Sequence, residues 1–285
     1  MKYFFTKLGI VFIKLIALLP FSVLYLISNI LYILLYKVAS YRLKVVRENL
    51  KNSFPKKTYD ERLVIEKKYY RYLCDLIIES LKAIQISKKS ILKRLKYENI
   101  EVFEKLYKDG KSAIVVMGHY ANWELMCKGT PLLAENEILG AYKPLTNKQF
   151  DKMMFESRSE FGTNMIPMEK ISRAMAESKR PFLLVLISDQ SPSHKESSIW
   201  VNFLNQETAV LPGAEKLAKK YNLPVIFSSI TCYKRGYYSC LLEYITEDPK
   251  LTSNITELHT LKLESNIKAK PEFWVWSHKR WKMKR

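Results

Sequence analysis

The chain has 285 residues, of which 48% are hydrophobic and 26% are charged, so it can bury a full core and is not disordered. Its 47 basic and 28 acidic residues give a formal net charge of +19. This charge favours anionic partners: nucleic acid, an anionic membrane face or an acidic substrate. The glycines form no GxGxxG loop, and the sequence has neither a CxxC pair nor an HExxH motif. A standard dinucleotide fingerprint is therefore excluded, no zinc site or other cofactor is expected, and the cysteines are expected to be reduced thiols.

The first predicted element is an uncharged apolar segment at residues 15–36, which is long enough to cross a membrane. No small-residue cleavage site follows it, so we predict a retained membrane anchor within residues 1–45 rather than a signal peptide. Pro20 and several polar residues leave a second possibility open, a helix that lies in the membrane interface. The positive-inside rule predicts that the rest of the chain is cytoplasmic, because basic residues follow the segment: Lys37, Arg42, Lys44 and Arg47.

Apolar strands and amphipathic helices alternate through residues 46–285, which predicts one α/β domain. Thr58 and Glu61 predict a capping box at the start of the first amphipathic helix. We expect a mixed, mainly parallel sheet flanked by helices, with the N-terminal hydrophobic membrane-anchoring helix outside it. Strands are predicted over 112–117, 137–142, 182–187, 224–230 and 237–244, and helices from residue 122, over 150–161 and over 213–221.

The candidate chemistry lies directly after the strand at 112–117, where His119 and Glu124 occur in the segment MGHYANWE. Functional groups of α/β sheets collect at the carboxyl ends of strands, and Gly118 allows a close approach there. If the chain turns at residues 120–121, Glu124 can fold back onto the imidazole and fix its tautomer. The other ring nitrogen could then remove a proton from a substrate hydroxyl. Taken alone, this pair of residues is only a weak indication of catalysis.

Several motifs together make the chain resemble the bacterial lipid A late acyltransferases, which belong to the wider group of HX4D/E glycerolipid acyltransferases. The resemblance covers nearly the whole chain, and the C-terminal motif is much more specific than HX4E alone. The matching residues are His119-x4-Glu124, Tyr142-Lys143-Pro144, Arg158, Asp189-Gln190, and the C-terminal Pro271, Trp274, Trp276, His278, Arg280, Trp281 and Lys282.

The resemblance implies acyl transfer from an acyl-carrier-protein thioester to a hydroxyl of a lipid A precursor, with no nucleic acid involved. The enzyme would act on the cytoplasmic face of the bacterial inner membrane, with acyl carrier protein and anionic membrane lipid as partners. His119 would be the general base and Glu124 its orienting partner, and Arg158 and Asp189 match positions that the family needs for activity. Arg158 would either bind an acceptor phosphate or pair with Asp189. Asn122 would either donate to the developing oxyanion or cap the following helix.

Two positions depart from the family pattern. Lys143 replaces an arginine, so we expect a looser contact with phosphate there, since lysine lacks the planar fork. The segment Phe203-Leu204-Asn205 replaces F-F-G, so the resemblance does not predict the conformation of the local turn.

Other residues carry plainer interpretations. The C-terminal tryptophans either seat the body at lipid headgroups or cover the core. Most lysines, including Lys128 and Lys195, are expected to be solvated, and His194, His259 and His278 to be structural. Two alternative functions remain: the same chemistry on another glycolipid or phospholipid, and a basic membrane-tethered binding protein without enzymatic activity.

Overall fold

The computed structural model describes residues 2–192 and 196–285, so His194 and Lys195 lie outside the described residues. Its centre is a seven-stranded sheet with the order β1-β9-β8-β2-β5-β3-β4, and a separate two-stranded sheet pairs β6 with β7. The strands are β1 Leu95–Tyr97, β2 Ala113–Met117, β3 Glu137–Tyr142, β4 Thr163–Pro167, β5 Phe182–Ile187, β6 Ile199–Phe203, β7 Gln206–Val210, β8 Val225–Lys234 and β9 Tyr237–Thr246.

Helices flank this sheet, as expected for buried parallel strands. The capping box at Thr58 and Glu61 is present at the start of the longest helix. The helices are α1 Lys2–Leu18, α2 Phe21–Tyr32, α3 Leu43–Ser53, α4 Tyr59–Ala83, α5 Lys88–Arg94, α6 Glu101–Lys108, α7 Trp123–Gly129, α8 Lys148–Ser159, α9 Ile171–Glu177, α10 Gly213–Tyr221 and α11 Ile255–Ala269.

The sheet is mixed and mainly parallel, which confirms the predicted fold class. Strand β2 pairs in parallel with β5 on one side and β8 on the other, β3 pairs in parallel with β5 and β4, and the β8–β9 pair is antiparallel. All five residues of β2 are buried. Because the four strands β2, β5, β3 and β4 run in one direction, their carboxyl ends meet at one edge of the sheet.

The N-terminal segment corrects the prediction of one helix over 15–36. Helix α1 ends at Leu18 and α2 begins at Phe21, because Pro20 has no N–H to continue the helix. Helix α2 continues into a π-helical turn, Ile33–Val38. Within the described part of the chain, Phe21–Val38 is the single helix that could cross a membrane, judged by length and composition alone.

The C-terminal tryptophans cover the core, which was one of the two alternatives for them. Trp274 and Trp276 are fully buried and their rings pack edge to face, with centroids 4.8 Å apart. Trp274 also forms an isolated antiparallel bridge with Tyr120. The C-terminal segment therefore lies against the loop that follows β2.

The segment that departs from F-F-G forms the tight turn between β6 and β7. Leu204 and Asn205 have φ values of 53° and 61°, a left-handed pair that suits a two-residue hairpin loop. The backbone N–H of Leu204 donates to Glu264 Oε2 at 2.7 Å, and Asn205 Nδ2 donates to the carbonyl of Ser53 at 2.8 Å. These contacts hold the turn against α11 and the end of α3.

Candidate active site

His119 is paired with Asp189, and both residues lie just beyond the carboxyl ends of adjacent parallel strands. Met117 of β2 and Ile187 of β5 are register partners, and the N–H of Ser188 donates to the carbonyl of Met117. Two residues further on each strand, His119 Nδ1 lies 2.6 Å from Asp189 Oδ1, and the His119 backbone N–H donates to Asp189 Oδ2 at 2.9 Å. The parallel register thus brings the imidazole and the carboxylate together.

Asp189 is buried and ionised in this arrangement. Burial alone raises the pKa of its carboxyl, but the charge of His119 and the hydrogen bonds from His119 and Trp274 outweigh burial and lower the pKa to about 2. Trp274 Nε1 donates to Asp189 Oδ2 at 2.8 Å. Since an ionised carboxylate only accepts hydrogen bonds, Nδ1 of His119 is the donor, and in the neutral imidazole Nε2 then carries the lone pair.

The free nitrogen of the ring lies on the more exposed side of the site. Gln190 Nε2 is 3.2 Å from His119 Nε2, and Trp123 packs edge to face on the imidazole with ring centroids 4.9 Å apart. The Gln190 side chain is exposed, so a substrate hydroxyl can replace its amide as the partner of Nε2.

Glu124 is bound to Arg158, which corrects its predicted role as the partner of His119. Arg158 Nε donates to Glu124 Oε2 at 2.9 Å and Nη2 donates to Oε1 at 2.5 Å, a bidentate pair. Burial opposes the charge of Arg158, but the hydrogen bonds and the charge of Glu124 raise the pKa of its guanidinium. Both oxygens of Glu124 are thus engaged away from the imidazole. The alternative pairing of Arg158 with Asp189 is also wrong.

Asn122 caps a helix, one of the two roles left open for it. Its Oδ1 accepts from the backbone N–H of Leu125 at 2.9 Å, and its Nδ2 donates to Glu79 Oε2 at 2.8 Å. Glu79 is buried, and burial raises the pKa of its carboxyl against the hydrogen bonds from Tyr238, Tyr25 and Asn122. With Oδ1 and one Nδ2 hydrogen engaged in a buried site, Asn122 supports the loop.

The backbone between His119 and Asn122 turns at Ala121, which was the condition stated for the sequence-based pairing of Glu124 with His119. Ala121 adopts a left-handed φ of 53°, and its N–H donates to the carbonyl of Phe273 at 2.9 Å. A Cβ added at Gly118 would meet the Leu263 side chain at 2.7 Å and Asp189 Oδ2 at 3.3 Å. The glycine is therefore needed for close packing beside the carboxylate.

Two lysines at the predicted site differ sharply in environment. Lys143 is exposed directly after β3, where it can meet a ligand from solvent. Lys128 was predicted to be solvated, but only 1% of its surface is exposed. Its Nζ donates to the carbonyl of Ala83 and to Glu160 Oε2, both at 2.6 Å, while burial lowers its pKa. Lys128 on α7 therefore joins the end of α4 to the residue that follows α8, beside the two helices, α7 and α8, that carry Glu124 and Arg158.

Behind Asp189 is a small cavity whose lining includes His259 and Arg280. Burial lowers the pKa of His259 to about 4, and burial lowers that of Arg280 to about 10 although the charge of Asp189 opposes the shift. Within the described ranges, His259 Nε2 and Arg280 Nε are buried without a hydrogen-bond partner. Arg280 thus provides a buried positive charge on the protein side of Asp189.

Sequence reasoning selected most of these residues but missed the roles of Trp274 and Gln190. Trp274 was treated as a surface or core residue, although the indole N–H of a buried tryptophan normally requires an acceptor. Gln190 follows Asp189 immediately, and its proximity to the imidazole could have been inferred once β2 and β5 were known to be neighbours. Among residues 2–192 and 196–285, no cluster of His, Cys, Asp and Glu could hold a metal ion.

Comparison with known proteins shows which family the sequence matches. A family model described as bacterial lipid A biosynthesis acyltransferase matches residues 1–283. The chain is 23% identical over 281 residues to a lipid A biosynthesis acyltransferase of Haemophilus influenzae, with 96% of this chain and 86% of that protein covered. It is 20% identical over 285 residues to a lipid A biosynthesis palmitoleoyltransferase of Escherichia coli, with 99% and 92% covered.

The protein is therefore an acyltransferase. More particularly, the chain belongs to the bacterial lipid A biosynthesis acyltransferase family, the family that its sequence motifs predicted.

Proposed function

We propose that the enzyme transfers a fatty acyl chain from an acyl-carrier-protein thioester to a hydroxyl of a lipid A precursor. The observation that carries this proposal is the His119–Asp189 pair at 2.6 Å, with the second ring nitrogen directed to the exposed side. The names of the relatives, a lipid A biosynthesis acyltransferase and a lipid A biosynthesis palmitoleoyltransferase, support lipid A as the acceptor and a fatty acyl chain as the transferred group.

His119 is the general base in this mechanism, with Asp189 rather than Glu124 as its orienting partner. Nε2 takes the proton of the acceptor hydroxyl, and the buried carboxylate of Asp189 stabilises the imidazolium that results. The hydroxyl oxygen forms a bond to the thioester carbonyl carbon. The carbon–sulfur bond then breaks, and the proton passes to the departing thiolate of the carrier.

Arg158 is proposed to contact a phosphate of the acceptor. Its Nε and Nη2 are used by Glu124, so the other terminal nitrogen remains for a ligand. A guanidinium held in this way is pre-oriented, which lowers the entropic cost of binding phosphate. Lys143, exposed at the end of the neighbouring strand β3, adds a second and less directional positive charge.

The acceptor is a lipid and the chain carries a net charge of +19, so we propose that the enzyme acts at the cytoplasmic face of the bacterial inner membrane. Acyl carrier proteins are acidic, and a basic enzyme surface would raise the rate of encounter with such a donor. Acyl carrier protein and anionic membrane lipid are therefore its proposed partners.

Mass spectrometry of lipid A tests the proposal in a strain that lacks the gene and is complemented with variants. The wild-type gene should restore one acyl chain, and His119→Ala should not. Arg173→Ala is the control, because Arg173 pairs with Glu177 on an exposed helix surface and has no proposed role. Acylation by purified His119→Ala at the wild-type rate would overturn the mechanism. Unchanged lipid A together with a gain of acyl chain on another lipid would overturn the acceptor.

Purified enzyme supplied with either acyl carrier protein or coenzyme A thioesters tests the donor. We expect a higher kcat/KM with the carrier protein, and this preference should weaken as salt screens the charges. Equal kcat/KM for the two thioesters would contradict the proposed partner.

A further inference from the structure

Helices α1 and α2 both contact α4, and each exposes an apolar stripe at helical spacing. A stripe of this kind on a soluble helix would normally be buried against a partner. Phe12 and Leu26, in the middle of the two stripes, are 62% and 61% exposed. The other members are Leu8, Val11, Leu15 and Leu18 on α1, and Val23, Ile30, Ile33 and Leu34 on α2 and its π-helical turn.

The opposite face of α2 is fixed to α4 by hydrogen bonds along its whole length. Tyr25 donates to Glu79 Oε1 at 2.9 Å, Ser28 donates to Asp75 Oδ1 at 2.6 Å, and Tyr36 donates to Glu66 Oε1 at 2.8 Å. These three contacts extend from the second turn of α2 to the π-helical turn. The helix therefore lies lengthwise on the catalytic domain and does not project from it.

Arginine side chains from other parts of the chain contact α2 at its first residue, at Asn29 and at its last residue. The Arg94 guanidinium stands 3.4 Å from the ring centroid of Phe21, Arg235 donates to Asn29 Oδ1 at 3.0 Å, and Arg71 lies 5.4 Å from the ring of Tyr32. If α2 crossed a bilayer, these arginines would enter the hydrocarbon with it, which is strongly unfavourable.

The break between α1 and α2 is also held on the domain. Lys82 Nζ donates to the carbonyls of Ala17 and Leu19, at 2.8 and 3.0 Å, and so satisfies free acceptors at the end of α1. Because both helices are attached on one side and apolar on the other, they are suited to lie flat on a membrane.

We infer that α1 and α2 form an in-plane membrane seat, embedded in the headgroup and outer acyl region of one anionic leaflet, rather than a spanning anchor. This inference rests on the proposed function, which requires contact with a lipid substrate. Charge supports a membrane with anionic lipid as the occupant, since exposed basic residues lie on α1 and in or just after the π-helical turn: Lys14, Lys37, Arg42 and Lys44.

A tag placed at each end of the full chain tests this topology. A protease is added to sealed spheroplasts and, separately, to inverted inner-membrane vesicles. An in-plane seat predicts that both tags are cut from the same side of the membrane. A spanning α2 predicts that the N-terminal tag is cut from the side opposite to the C-terminal tag, and that result would overturn the inference.

Vesicles of phosphatidylethanolamine and phosphatidylglycerol test the surface itself. The double variant Phe12→Glu/Leu26→Glu should lower the membrane-bound fraction about tenfold or more, since two apolar side chains lose their burial in lipid. The matched control Leu251→Glu/Leu258→Glu changes two exposed leucines outside α1 and α2 and should bind as wild type does. Thermal melting verifies that both variants are folded.

Undiminished vesicle binding by the Phe12→Glu/Leu26→Glu variant would overturn the seat. Sedimentation tests a second explanation, in which the stripes pair two copies of the chain. If the wild type is a dimer and the variant is a monomer that still binds vesicles, the seat is likewise overturned. Acyl transfer by the wild-type enzyme is measured on the same vesicles after a lipid A precursor has been added to them and an acyl-carrier-protein thioester has been supplied. Absence of transfer contradicts the proposed function, whereas tags on opposite sides contradict only the in-plane seat.

Discussion

The imidazole of His119 and the carboxylate of Asp189, 70 residues apart in the chain, lie 2.6 Å from each other. Their proximity follows from the parallel pairing of β2 with β5, which ends both strands at the same level of the sheet. Asp189 therefore fixes the tautomer of His119, while Glu124, the carboxylate nearer in sequence, holds Arg158.

Exchange of each carboxylate for its amide separates the two roles. Asp189→Asn should lower kcat by about 10³-fold or more, because the neutral amide no longer fixes the tautomer or stabilises the imidazolium. Glu124→Gln should lower kcat/KM by about 10- to 100-fold, through weaker orientation of Arg158. Steady-state kinetics of the two variants give the comparison. Near-normal kcat in Asp189→Asn, with loss in Glu124→Gln, would restore Glu124 as the partner of His119.

Trp274 is predicted to support catalysis through its single hydrogen bond to Asp189. Trp274→Phe keeps an aromatic ring but removes the donor, and kcat should fall about tenfold. Trp276→Phe is the matched control, since Trp276 is equally buried but donates to the carbonyl of Pro271. Both variants should lose thermal stability, and only Trp274→Phe should lose kcat. Equal kcat in the two variants would mean that Trp274 acts only in packing.

Arg158→Lys tests whether the planar fork of arginine is needed. Lysine keeps the charge but cannot bind Glu124 and a phosphate together, so KM for the lipid acceptor should rise about tenfold while kcat changes less. Arg173→Lys is the control, because Arg173 donates to Glu177 at 2.8 Å on an exposed helix. A fall in kcat at constant KM would place Arg158 in the chemical step instead.

Gly118→Ala should destabilise the enzyme by about 1–3 kcal/mol, since its Cβ would overlap Leu263. The same Cβ presses on Asp189 Oδ2, so kcat should fall as well. Gly213→Ala is the control, because no atom lies within 4 Å of a Cβ added there. Thermal melting and kcat of the two variants are compared. Wild-type values for Gly118→Ala would show that the loop moves freely.

The buried His259 predicts a loss of stability in mild acid. Burial lowers its pKa from 6.5 to about 4, so the unfolded state binds the proton more readily than the folded state. Its contribution is complete above pH 6.5 and decreases as pH falls towards 4. At pH 5 the loss is about 2 kcal/mol.

Thermal melting of wild type and His259→Leu between pH 7.5 and 5 measures this contribution. The leucine variant should lose less stability than wild type over that range, because it has no imidazole to protonate. Parallel pH profiles for the two proteins would contradict the assignment.

The strands of the site were predictable because apolar residues dominate them, with β2 buried throughout and β3 and β5 buried at three positions each. The continuous apolar run of β5 gave its bounds as the structure has them, and that of β2 differs by one residue. The weaker pattern of β3 also gave its bounds as the structure has them. The short strand β4 and the hairpin of β6 and β7 mix polar and apolar residues, and their pairing depends on tertiary contacts.

The partners of the site residues were less predictable than the residues themselves. The sequence was sufficient to select His119, Glu124, Arg158 and Asp189. The spacing of motifs along the chain does not give the order of strands in the sheet, however. Without the knowledge that β2 and β5 are neighbours, the nearby Glu124 was the natural partner for His119. The prediction that Lys128 is solvated was wrong for a related reason, since the burial of this side chain depends on α4 and α8 and not on its own helix.

The carboxylate of Glu79 accepts hydrogen bonds from Tyr25 of α2, from Asn122 at the start of α7, and from Tyr238 of β9. Deleting the first 38 residues to obtain a more tractable enzyme would therefore remove one of three donors to a buried carboxylate, and would also leave Lys82 without its two carbonyl acceptors. The N-terminal helices are thus part of the folded enzyme, and detergent screening of the intact chain is a sounder route to pure protein than truncation.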